Sequence, residues 1–343
     1  MVAGQRVRRA VKSALFCAVL VGLLALAEFI MKPGVGETVP WAGLSSSRGE
    51  VDVITLGSSH AHCAILPMEL WREAGITAAN VTGPSQPMPT TLAFLQQALK
   101  TENPKVVLLE TCLIDRPEPL SYRSKANFDP MPWGVPKVLG IVRAAPVEQW
   151  EFLFVPLLSY HDRWDQIGRG DFNPEKYARF SFMRGGLYVV EAEALDEVPQ
   201  RRNISEDGYQ RDLSYVREIA RLCEQGDIDL ILFNAPPADP VLPSGEMLLD
   251  RLEADLSGEF TDITYLDLND HVEDLGLDPA LHYKDSSHVN GLGGARISAW
   301  LARALQVDYG VPDRRSEPLA RHWNEDLLRY DAYVRTLIEA GTE

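Results

Sequence analysis

The chain has 343 residues, of which 45% are hydrophobic, enough for a substantial core. Its formal net charge is −16. That acidity argues against a nucleic-acid partner, since neutralising phosphates needs clustered Lys and Arg, and it carries no information about fold.

Arg6, Arg8, Arg9 and Lys12 precede an apolar stretch over residues 14–27, which resumes after Glu28 with Phe29, Ile30 and Met31. A basic flank before an apolar run puts the N-terminus in the cytoplasm and the rest of the chain outside. Residues 1–31 therefore read as a transmembrane anchor, with Glu28 at the interface. Leu24-Ala25-Leu26-Ala27 also fits a cleavage site, so a cleaved signal segment stays open as the alternative. Both readings export the larger, C-terminal part. Residues 32–50 contain Pro33, Gly34, Gly36, Pro40 and Gly43 and read as a linker.

Beyond the linker, apolar runs alternate with amphipathic ones. Strands are expected at 51–57, 77–81, 106–109, 228–233 and 263–268. Helices are expected at 66–74, 90–100, 205–225, 242–256, 291–305 and 319–340. Residues 115–200 break the alternation, are rich in Pro and aromatic residues, and read as a long insertion. The expected class is α/β, a parallel sheet with helices on both faces. It would occupy residues 51–312, followed by a helical tail over 313–343.

In such a sheet, ligands bind beyond the carboxyl ends of the strands. Ser58 and Ser59 follow the first strand, Gly83 follows the second, and Glu110-Thr111 follows the third. Asp285-Ser286-Ser287-His288 precedes a helix. Three-residue spacing lets one turn present a carboxylate and an imidazole together. A serine hydroxyl needs such a base, held in one tautomer by an acid, to become a nucleophile. An N–H at the start of the helix after Ser59 can face an oxyanion. Each half alone is also what a helix cap looks like. The chain has no Gly-x-Ser-x-Gly, which disfavours the nucleophile-elbow hydrolases.

Gly57-Ser58-Ser59 and Asp285-x-x-His288 resemble the first and last blocks of the SGNH (GDSL-type) hydrolase superfamily. Gly83, in Asn80-Val81-Thr82-Gly83-Pro84-Ser85, resembles its second block. The likeness covers about residues 51–112 and 228–305 and is greatest to membrane-anchored members that modify cell-surface polymers, such as the D-alanyl transfer protein of teichoic-acid modification and the alginate O-acetyltransferases. It implies the three-layer, flavodoxin-like form of the fold. It makes Ser59 the nucleophile, His288 the base and Asp285 its orienting acid, with the Ser59 and Gly83 N–H groups as oxyanion donors. Two positions depart from the pattern: Ser58 replaces an Asp, and Leu108-Leu109-Glu110-Thr111-Cys112 lacks the third block's Asn. Asn80 or Thr111 would then have to substitute for that Asn.

The resemblance implies an extracytoplasmic O-acyltransferase, with acetyl as the expected acyl group. Its acceptor would be a cell-envelope polysaccharide or glycan, and an integral-membrane acyl exporter would supply the donor. The alternatives are a carbohydrate esterase and a degenerate glycan-binding or scaffold protein. No cofactor is expected. His60, His62 and Cys63 do not make a convincing metal site, because histidines two apart diverge and no carboxylate is near in sequence. Ser58, His60, Asn80, Thr111 and Asn234 are candidates for lining the pocket, while His282-Tyr283 reads as a buried packing pair. Cys63 and Cys112 are candidates for a disulfide or for two buried thiols. Trp133, Trp150, Trp164, Arg163, Arg169 and Arg184 in the insertion suit either sugar stacking and polymer binding or a satellite core with solvated arginines.

Overall fold

The structure is a computed structural model describing residues 2–34, 40–45, 47, 49–115, 121–191, 204–238 and 246–341. Parts of the expected linker, insertion and tail, and the start of the helix expected at 242–256, lie outside these residues. Five parallel strands form one sheet: β1 (Val53–Gly57), β2 (Ala78–Thr82), β3 (Val106–Glu110), β4 (Asp229–Asn234) and β5 (Ile263–Asp267). Their order is β2-β1-β3-β4-β5. The chain reverses its direction of winding between β1 and β3, which opens a crevice at their carboxyl ends.

The helices before the insertion are α1 (Val2–Met31), α2 (Pro40–Ser45), α3 (Ser59–Ala64), α4 (Pro67–Ala74) and α5 (Met88–Ala98). The insertion holds α6 (Ser121–Phe128), α7 (Val135–Ala144), α8 (Trp150–Phe154), α9 (Leu157–Tyr160) and several short 3₁₀ turns up to Met183. After it come α10 (Glu206–Gln225), α11 (Glu246–Leu256), α12 (Val272–Leu275), α13 (Gly291–Tyr309) and α14 (Ala320–Gly341). Local chemistry sets several ends. α4 begins with Pro67 and stops at Gly75, which takes φ +65°. α10 is capped by Ser205, whose hydroxyl accepts from the Gly208 N–H, with Glu206 and Asp207 in its first turn.

Alternate strand residues serve two cores. Ile54, Leu56, Val107, Leu109, Leu230 and Leu232 pack beneath α5, α7, α10 and α11. Val53, Val106, Leu108, Ile231 and Phe233 pack beneath α3, α4 and α13. Every residue of β1 to β3 is buried because both faces are covered, and β3 is apolar up to its last residue. The β2 edge is closed by the Arg184 carbonyl, which accepts from the Asn80 N–H at 2.8 Å.

The segments flanking the sheet belong to the packed body. Within the expected linker, α2 brings Trp41 and Leu44 into the first core. The tail helix α14 stacks Trp323 on Trp71 of α4, with ring centroids 5.3 Å apart. Arg184, expected as a solvated or polymer-binding arginine, is instead fully buried. Its guanidinium donates to Asp326 at 2.6 Å, Ser47 Oγ at 2.5 Å and the Gly43 carbonyl at 3.2 Å, which joins α2, the insertion and the tail. Gln5–Met31 of α1 is long and apolar enough to cross a membrane, and none of its apolar window is buried in the protein.

Candidate active site

The crevice between β1 and β3 is where the first motif emerges. Gly57 ends β1 at φ +143°, and a Cβ there would stand 2.6 Å from Glu110 Cβ, so no larger residue fits. Ser58 then caps α3, its hydroxyl accepting from the His60 N–H at 3.3 Å. The same hydroxyl donates to Glu110 Oε2 at 2.9 Å. Ser58 is buried and held on both sides, whereas Ser59, at the first position of α3, is half-buried.

The second motif is shaped by a tight reversal. Tyr283 and Val289 form an antiparallel bridge, and the Lys284 N–H donates to the His288 carbonyl at 2.9 Å. Asn290 then caps α13, accepting from the Leu292 and Gly293 N–H groups. Within the reversal, Asp285 Oδ1 accepts from the N–H groups of Ser287 and His288, both at 2.9 Å, and from Ser287 Oγ at 3.0 Å. His288 Nδ1 lies 2.9 and 3.0 Å from the two Asp285 oxygens. Burial alone would raise Asp285; the Ser287 N–H, the His288 ring and the Ser287 hydroxyl outweigh it and hold the carboxyl at about 2.

The two motifs meet across 229 residues of chain. Ser59 Oγ and His288 Nε2 are 2.8 Å apart. With Asp285 on Nδ1, that nitrogen carries the ring proton and Nε2 is left to accept from the serine hydroxyl. The arrangement has the parts of a nucleophile, a base and an orienting carboxylate in line. The Ser59 N–H belongs to the first turn of α3 and has no intrahelical acceptor.

Other expected residues are placed differently. Gly83 continues the β1–β2 ladder by one step, its N–H donating to the Gly57 carbonyl at 3.3 Å, so it is not the open oxyanion donor expected. The Asn127 amide also packs on Gly83, where a Cβ would meet Oδ1 at 1.8 Å. Asn80 is enclosed within β2 and donates to the Ile65 carbonyl at 2.6 Å, which removes it from the pocket. Thr111 and Asn234, at the ends of β3 and β4, bond to each other at 2.7 Å and are both buried. His60 does reach the site, its ring edge-on to His288 with centroids 4.5 Å apart. His282 and Tyr283 are buried.

The sequence alone assigns Glu110 no role. It is completely buried and accepts from the Ser58 N–H and hydroxyl and from the Cys112 N–H. The one signal of its importance is a carboxylate ending an otherwise apolar strand. His60, Glu110 and Cys112 each bring one ligand-type atom within 4.8 Å of the others. Both Glu110 oxygens are already taken by the Ser58 and Cys112 donors, which makes the cluster a hydrogen-bonded brace for the Ser58 turn. No disulfide joins Cys63 and Cys112: burial pushes the Cys63 thiol up to about 12, and Cys112 Sγ lies 3.7 Å from Ser58 Oγ. Burial, then repulsion from His288 and His60, pushes His62 down to about 3, so it is neutral beneath the site.

No protein-family model matches the chain, and no curated protein matches it.

Proposed function

We propose that the chain is a membrane-anchored, extracytoplasmic serine acyltransferase of the SGNH type, moving an acyl group, acetyl foremost, onto a cell-envelope polysaccharide or glycan. The observation that carries this reading is the 2.8 Å contact between Ser59 Oγ and His288 Nε2, with Asp285 on the opposite ring nitrogen. Ser59 Oγ attacks the acyl carbonyl as His288 Nε2 takes its proton. Asp285 steadies the imidazolium and stays ionised. The Ser59 N–H faces the oxyanion. The leaving group departs with the proton from His288, and the acyl group rests on Ser59. An acceptor hydroxyl then gives its proton to His288 and attacks the acyl carbon, and the Ser59 oxygen leaves with that proton returned from His288. Water in place of that hydroxyl gives an esterase.

Anchoring by α1, with its basic flank on the cytoplasmic side, puts this chemistry outside the cell. An integral-membrane acyl exporter is the donor source that fits such a location. The engaged Gly83 N–H favours a second reading, in which the site holds a glycan without turning it over. Incubating the full chain with an acetyl ester, with and without cell-wall oligosaccharides, tests the proposal. Acetylated oligosaccharide is the expected product. Free acetate alone would make the protein an esterase, and neither product would leave the glycan-binding reading.

A further inference from the structure

The insertion exposes apolar side chains where a domain surface is ordinarily polar. Among the described residues outside α1, sixteen large apolar side chains are exposed, and eleven of them fall between residues 133 and 172. Exposed apolar residues scattered singly are ordinary, but a concentration of this kind marks an interaction surface. The α7 helix shows the pattern most clearly. Pro136, Gly140, Ile141 and Ala144 face inward with Lys137, whose ammonium donates to the Met131 carbonyl at 3.0 Å. Val135, Val138, Leu139 and Val142, spaced i, i+3, i+4 and i+7, form a second apolar stripe on its outer side. A helix apolar on both sides belongs in an apolar environment on both sides.

The same part of the chain grips the end of α1. Arg163 donates to the Met31 carbonyl at 2.6 Å, and Lys176 donates to the Phe29 and Lys32 carbonyls at 2.5 and 2.7 Å. These are the carbonyls a helix leaves unpaired at its C-terminus, and cations are favourable there. α9 and the turn at Arg169–Phe172 both pack against α1. Leu158 and Phe172 in those two elements are exposed, as are Val155 just before α9 and Trp164 just after Arg163. Leu158, Phe172 and Trp164 thus lie in or beside segments that touch α1 or hold its end, where a spanning helix would leave the hydrocarbon, and α8 links them to α7. Tryptophan and other amphipathic or apolar groups are stable at that level of a bilayer.

We infer that residues 133–172 form a collar embedded in the headgroup and upper acyl region of the bilayer around the exit of α1. The inference rests on the proposed reading of α1 as a membrane span. It fixes the domain against the membrane at one height, in place of a free tether.

The test uses the full chain in phosphatidylcholine nanodiscs with a nitroxide on one cysteine at a time. Native Cys17 in α1 is one site, in a Cys112→Ser background. Val155→Cys, Trp164→Cys and Val307→Cys are the others, in a Cys17→Ala, Cys112→Ser background; Cys63 and Cys223 are buried and do not label. Accessibility to oxygen relative to a water-soluble nickel chelate reports depth. The labels at 155 and 164 are expected to show a ratio several-fold above the label at 307, and the Cys17 label the highest. If Cys17 reports hydrocarbon while 155 and 164 match 307, the collar is overturned and the apolar face belongs to a protein partner. If Cys17 itself reports water, the anchor reading falls and the collar with it.

Discussion

The carboxyl ends of β1 and β3 bury polar groups, and the 133–172 stretch exposes apolar ones. Both run against the ordinary partition of side chains, yet they are held in different ways. The two acids at the strand ends are held by named partners: buried Glu110 takes three donors, and half-buried Asp285, brought to the same place by its loop, takes two N–H groups, a hydroxyl and an imidazole. Such groups are costly to disturb, because a lost partner leaves a desolvated charge or donor. In the insertion the exposed Val142 and Trp164 are held by little of the protein, so their removal costs the fold little. On the proposed reading the first region serves chemistry and the second contact with the membrane.

The largest effect is expected at the strand ends. Ser59→Ala and His288→Ala should each lower kcat/KM for an acetyl ester by roughly 10⁴- to 10⁶-fold, and Asp285→Asn by about 10⁴-fold, in steady-state assays. The contrast breaks if Trp164→Ser does the same. Next comes the buried junction of α2, the insertion and the tail at Arg184. Asp326→Ala leaves the Arg184 guanidinium buried without its carboxylate and should cost about 3–5 kcal/mol in urea unfolding.

An effect that is smaller in mild acid, at about pH 5, is expected from His62. Its folded pKa, about 3, is below the ordinary 6.5. Below pH 6.5 the unfolded chain therefore binds a proton that the folded chain refuses, and stability falls as the pH falls. From this group alone the slope approaches about 1.4 kcal/mol per pH unit below that point. Urea titrations of His62→Gln should show a shallower acid limb than wild type, and an unchanged limb would remove His62 as the cause. The smallest effect is at Trp164, 71% exposed, where Trp164→Ser should move unfolding by no more than about 0.5 kcal/mol.

The strands were legible because parallel strands covered on both faces read as unbroken apolar runs, as Val106–Glu110 does up to its last residue. The approach of Asp285 and His288 was legible because three residues make one turn. What escaped depends on neighbours distant in sequence. Gly83 is engaged only because β1 and β2 pair with Gly57 opposite Thr82, and that register is not local information. The Ser58–Glu110 bond needs β1 beside β3. Trp41 and Leu44 lay in a glycine- and proline-rich stretch that reads as linker, yet they complete a core formed by later segments. The insertion resisted reading for a further reason: α7 is apolar on both sides, so no single period separates an inner face from an outer one.

The most direct test of the central claim is covalent labelling of the full chain with a fluorophosphonate probe, with the adduct mapped by mass spectrometry. Wild type and Ser58→Ala should carry the adduct on Ser59, and Ser59→Ala should carry none. An unmodified wild-type protein, or an adduct that persists in Ser59→Ala, would contradict the assignment of Ser59 as a nucleophile activated by His288.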